Sequence, residues 1–142
     1  MAYDDDNIFA RILRGEIPAH KVYEDADILA ILDVMPQADG HTLIVPKTRA
    51  ENLFDLDPDL AAAAMRAGQR IALGLRAAFQ PDGITLMQFN GPAAGQSVFH
   101  FHLHVIPRWH DQPLRSHARG MADPGLLAGH ADRIRAALSA AR

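Results

Sequence analysis

The stretch NGPAAGQSVFHFHLHVIP, from Asn90 to Pro107, alternates without a fault in its second half: His100, His102 and His104 against Phe101, Leu103 and Val105. Strict period two is the pattern of a half-buried β-strand, because successive side chains of a strand point to opposite faces. On a helix the three imidazoles would scatter around the barrel. As a strand the stretch sets them in one row, neighbours roughly 6–7 Å apart and the outer two about 13 Å apart, with the apolar residues entering the core behind.

That spacing bears on metal binding. Tetrahedral zinc takes its ligand nitrogens at about 2.0–2.1 Å, so two adjacent histidines of the row can converge on one ion and all three cannot. The residues ahead of the row suit a different ligand. Gly95, Gln96 and Ser97, with Asn90 and Gly91 before them, read as a loop able to turn backbone N–H groups and small polar side chains towards an anion. Neutral imidazole is a nucleophile near neutral pH, its free pKa being about 6.5. A row of imidazoles beside an anion-holding loop suggests chemistry at phosphorus.

The run His100-Phe101-His102-Leu103-His104-Val105-Ile106 resembles the signature of the histidine triad (HIT) family of nucleotide hydrolases and transferases. Residues 94–98 and 33–47 are also similar, and the likeness covers residues 7–108, leaving 109–142 as a divergent tail of the same single domain. The resemblance implies an α+β, HIT-like fold that dimerises. It implies hydrolysis at the α-phosphate of nucleoside phosphoramidates or adenylates, with His102 as the nucleophile that carries a covalent nucleotidyl group. His104 is then expected to contact the α-phosphate, and His100 to hold the array in register with His41 behind it. Ser97 is expected to donate to a phosphate oxygen or to the leaving group. By the same resemblance Ile8, Phe9 and Ile12 wall the base pocket, and Asp33, followed by Val34, accepts from the ribose hydroxyls. Asn90, Gly95 and Gln96 line the phosphate side. No metal or other cofactor is required, and the implied partners are AMP or GMP conjugates and a second copy of the chain. Residues 33–41 look like the phosphoramidase (Hint-like) branch. Residues 91–96 and 105–108 lean towards the branch that cleaves diadenosine polyphosphates, which is the alternative substrate class.

At 142 residues, 49% of them hydrophobic, the chain suits one domain with a real core, small enough to favour dimerisation. A net charge of −3 offers no basic footprint for nucleic acid. No apolar run approaches the ~18 residues of a membrane span. Residues 1–6 are acidic and lack the basic-then-apolar order of a signal peptide. With no cysteine there is no thiol nucleophile, disulfide or zinc–thiolate site, which suits the cytoplasm.

Along the chain, Asn7 can cap a short helix carrying Ile8, Phe9, Ile12 and Leu13, stopped by Gly15. Residues 21–24 and 28–32 read as a hairpin turning at Asp25-Ala26-Asp27, and 41–46 as a third strand. Asp57-Pro58 opens a long amphipathic helix to about Phe79, with Leu60, Ala64, Ile71 and Leu75 on its apolar face. Residues 84–89 make the fourth strand and the triad the fifth. Residues 108–120 read as a polar loop near the site and 124–142 as a terminal helix, with His110, His117 and His130 at the surface. The sum is five antiparallel strands with one long and one or two shorter helices. Two other readings share these residues: a nucleotide-binding interaction module whose catalysis is incidental, and a metal-binding β-protein using two adjacent histidines.

Overall fold

The computed structural model describes residues 3–116 and 120–140; His117 lies outside them. The elements run α1 (Ile8–Leu13), β1 (Lys21–Glu24), β2 (Ile28–Leu32), β3 (Thr42–Pro46), α2 (Pro58–Phe79), β4 (Gly83–Met87), a 3₁₀ turn (Pro92–Ala94), β5 (Leu103–Arg108) and α3 (Pro124–Ala140). The strands form one sheet in the order β1-β2-β3-β5-β4, with every neighbouring pair antiparallel. This is the expected α+β, HIT-like architecture. Among the described residues no helix is long and apolar enough to cross a membrane.

Local chemistry accounts for the element ends. The Asn7 side chain accepts the Ala10 N–H at 3.0 Å and starts α1. Asp25 Oδ1 accepts from both Asp27 and Ile28 N–H at 2.8 Å, closing the β1–β2 turn. Asp57 caps α2 through the Asp59 N–H at 2.7 Å, with Pro58 at the first helical position.

Because β2 and β3 are buried on both faces, alternate residues feed two cores. Ile28, Ala30, Leu32 and Ile44 pack with Leu103 and Val105 against Ala64, Ile71 and Leu75 of α2 and Leu127 and Ile134 of α3. Leu29, Ile31, Leu43 and Val45 pack on the opposite face with Phe9 and Ile12 of α1. His104 pairs with Leu43 across β3 and β5, so the triad lies on the α1 face.

Three expectations need correction. The fifth strand begins at Leu103, so His100 and His102 precede it in irregular backbone although the in–out alternation persists. The β3–β5 ladder stops at Ile44↔Leu103 because β3 ends at Pro46, which has no N–H to give. Instead Phe101 N–H bonds to the Ala50 carbonyl at 2.9 Å, and the Pro46 carbonyl is taken by the His100 side chain. The imidazole rows are accordingly tighter than an ideal strand allows, with His102 and His104 ring centroids 5.0 Å apart. His130 is not a surface residue: it is buried on α3 with its ring edge-on to Phe79 at 5.1 Å.

Candidate active site

Hydrogen bonds settle which nitrogen of each histidine carries its proton when the ring is neutral. The Gln37 N–H donates to Nδ1 of His41 at 3.0 Å, so the proton of His41 sits on Nε2. Nε2 of His41 is 2.9 Å from Nδ1 of His104 and must donate there. The remaining proton of His104 is therefore on Nε2, its outward nitrogen. His102 is fixed independently: its Nδ1 lies 2.7 Å from the His100 carbonyl, which can only accept. Its Nε2 is left with a lone pair. His100 and His104 are buried, and His102 is the partly accessible ring of the three.

The site thus sets a basic nitrogen on His102 beside an N–H donor on His104. Phe9 stacks at a tilt on His102 with centroids 4.8 Å apart, and Phe89 flanks His104 at 5.7 Å. Burial lowers the pKa of His102, opposed by its hydrogen bond to the His100 carbonyl. Burial likewise lowers that of His100 against the Pro46 hydrogen bond, with the neighbouring His102 adding to the lowering. Both effects keep the rings neutral near pH 7.

His41 therefore stands behind His104, not behind His100 as expected. Asp33 is 8% exposed; its Oδ1 accepts the Met35 N–H at 2.9 Å and its Oδ2 lies 3.6 Å from His41 Nε2. Val34 is half-buried, packs on the larger core and accepts the Ala122 N–H at 2.8 Å. Asp33, His41 and His104 each bring a ligand atom to within 4.8 Å of the others, a spacing that could hold a cation. The His41–His104 hydrogen bond already closes that space, so an ion would have to break it. Of the three proposed base-pocket residues, Phe9 and Ile12 are buried in the α1 core and Ile8 is exposed.

The loop before the triad departs from the sequence reading. Gly95 N–H is bonded to the Pro92 carbonyl and Gln96 N–H to the Gly91 carbonyl, at 3.0 and 3.1 Å, so neither points at an anion. The buried Gln96 side chain accepts from Gly91 N–H at 2.8 Å and donates to the Glu51 and Val98 carbonyls at 2.6 and 3.0 Å. Gly95 and Gln96 shape the loop; they do not present donors. Gly95, at φ 100°, makes the left-handed turn that a side chain would oppose. Asn90 is also tied in, its Oδ1 accepting from Leu53 N–H and Gln88 Nε2 at 2.8 Å. Ser97 is exposed and engages no described residue, which leaves its hydroxyl open to a ligand.

Sequence reasoning missed Gln37, Phe89 and Tyr3. Gln37 acts through its backbone, which no side-chain pattern reveals. Phe89 ends the fourth apolar run and reads there as core. Tyr3 lies 97 residues from its partner His100.

An antiparallel sheet presenting a neutral, oriented imidazole pair beside a tight glycine loop defines a histidine triad site. The HIT domain model matches residues 14–111, and the chain belongs to that family. It is 46% identical over 102 residues to "Protein hit" of Bacillus subtilis, covering 72% of this chain and 70% of that one. It is 39% identical over 120 residues to "Adenylylsulfatase HINT3" of Arabidopsis thaliana, covering 80% of this chain and 61% of that protein. A crystal structure of a Hit-like protein from Bartonella henselae superposes with a TM-score of 0.92 at 46% identity, covering 96% and 99% of the two chains.

Proposed function

We propose that the protein is a nucleotide hydrolase acting at the α-phosphate of nucleoside phosphoramidates or adenylates. The observation that carries the reading is the outward lone pair of His102 Nε2, fixed by the 2.7 Å bond from Nδ1–H to the His100 carbonyl. In the first step that nitrogen forms a bond to phosphorus. The phosphorus–nitrogen or phosphorus–oxygen bond to the leaving group breaks, and the leaving group keeps the electron pair. An amine leaving group also needs a proton, for which the exposed Ser97 hydroxyl and the Nε2–H of His104 are the candidate donors. His104 also stabilises charge that develops on the phosphoryl oxygens. In the second step water attacks phosphorus and gives up a proton to the group that lost one in the first step, or to solvent. The bond to Nε2 breaks with its electron pair returning to the nitrogen, and the nucleoside monophosphate leaves with His102 neutral again.

The carboxylate of Asp33 supplies acceptors for ribose hydroxyls. The resemblance to an adenylylsulfatase supports adenylates among the substrates. No step of this scheme calls for a metal. The same reading takes the enzyme as a homodimer joined along the free edge of β4 and the exposed face of α2.

Steady-state hydrolysis of adenosine phosphoramidate and a diadenosine polyphosphate, side by side with chelator present, tests the proposal. Faster turnover of the phosphoramidate is expected, and preference for the dinucleotide would overturn the substrate assignment. In His102→Ala, turnover is expected to fall about 10³-fold or more with nucleotide binding largely kept. Full activity in that variant would overturn the nucleophile.

A further inference from the structure

Tyr3 takes no part in the proposed reaction, yet its hydroxyl is hydrogen-bonded to Nδ1 of His100. The Pro46 carbonyl, 2.9 Å from Nε2 of the same ring, can only accept, so the proton of His100 sits on Nε2. Nδ1 is then the acceptor and Tyr3 the donor. The ring of His100, 1% exposed, is held at both ends. Its backbone carbonyl is the group that accepts from Nδ1 of His102 at 2.7 Å.

The segment bearing Tyr3 is itself anchored. Arg49 grips both carboxylate oxygens of Asp5, at 2.8 and 2.9 Å, and its guanidinium lies 5.3 Å from the Tyr3 ring centroid. Asn7 donates to the Asp4 carbonyl at 2.7 Å while it caps α1. Phe9, in the first turn of that helix, touches both His100 and His102, at centroid distances of 6.2 and 4.8 Å. A tyrosine that merely packed would need no hydroxyl. Here the hydroxyl meets the nitrogen of His100 that the sheet leaves without a partner.

We propose that Tyr3 is a positioning residue for His102: by donating to Nδ1 of His100 it locks that ring and, through the His100 carbonyl, holds the His102 imidazole with Nε2 facing the substrate. The turnover part rests on His102 being the nucleophile; the orienting part does not. Losing the hydroxyl leaves a buried acceptor unpaired, which the His100 ring relieves by shifting, and the carbonyl of the same residue shifts with it.

Tyr3→Phe keeps the aromatic ring and removes the hydroxyl, and with it the donation to His100 and a side-chain contact with Asn7. Nitrogen-15 spectra of the histidines in the resting protein read the outcome directly. In the unmodified protein His102 is expected as the Nδ1–H tautomer and His100 as the Nε2–H tautomer. In Tyr3→Phe the His100 Nδ1 signal moves and His102 becomes a mixture of tautomers. With adenosine phosphoramidate, kcat is expected to fall about three- to tenfold, the weight of one net hydrogen bond, with KM within about twofold. The thermal midpoint stays within a few degrees. Unmoved nitrogen signals for both histidines overturn the proposal whether or not the protein is a hydrolase. So does an unchanged kcat in a variant whose signals have moved. A fall in activity that tracks a fall in thermal midpoint, equally in Tyr3→Phe and Tyr3→Ala, overturns it in favour of a packing role.

Discussion

At His102 one hydrogen bond decides which nitrogen is left with a lone pair. The Nδ1–H bond to the His100 carbonyl leaves Nε2 basic, and burial keeps the ring from protonating. The sign of the pH dependence follows. In the proposed reaction the attacking form is neutral, and a lowered pKa extends its dominance to more acid solution than a free imidazole with a pKa of about 6.5 would allow. The acid limb of kcat/KM against pH is therefore expected to have its midpoint below 6.5. A profile between pH 4.5 and 8 measures it, and a midpoint above 6.5 would contradict the buried, neutral nucleophile. His104 takes its orientation from a longer relay, from Gln37 N–H through both nitrogens of His41. That relay makes a backbone amide in a loop part of the geometry of the proposed site.

The loop between β2 and β3 is consequently an element under constraint. Arg115 bonds through its N–H to the Gln37 carbonyl and through its guanidinium to Asp39, both at 2.7 Å, so the tail clamps the loop from outside. From inside, Gly40 presses on α2: a Cβ built there would lie 3.0 Å from a Leu75 methyl carbon and 3.1 Å from the Phe79 ring, at a φ of +82°. Both the backbone conformation and the close approach favour glycine. Gly40→Ala is expected to destabilise the fold by about 1–3 kcal/mol through strain and overpacking, measured by urea unfolding. Its kcat is expected to fall too, since Gly40 adjoins His41. Unchanged stability would show that the loop and α2 give way easily.

At the scale of the whole molecule, the sheet order leaves β4 with one unpaired edge. Leu86 on that strand and Met65 and Leu73 on α2 are exposed, at 44%, 53% and 48%. Unpaired strand edges and exposed apolar side chains invite a partner, and an isologous two-fold contact satisfies both chains at once. Sedimentation at micromolar concentration is expected to show a dimer for the unmodified protein. Leu86→Lys is expected to shift it to monomer by placing a charge at the two-fold contact. A monodisperse monomer before any substitution would refute the assembly.

The sequence by itself determined the fold class, the α2 boundaries and the identity of the three triad histidines. These depend on local rules: period-two alternation, a capping Asp57 with Pro58 behind it, the turn chemistry of Asp25, and glycines where the chain must reverse. Through resemblance it also placed His41 near the triad and Asp33 at the ribose hydroxyls. Only the tertiary structure decided what these residues do to one another. It set His41 behind His104, turned the donors of Gly95 and Gln96 into the loop, and buried His130. It ended the ladder at Leu103 because a proline on the neighbouring strand had no hydrogen to give. Tautomers, too, are long-range properties. The proton on a ring nitrogen is placed by whichever carbonyl or amide the fold brings against it, and for His100 those partners are Pro46 and Tyr3, 54 and 97 residues away.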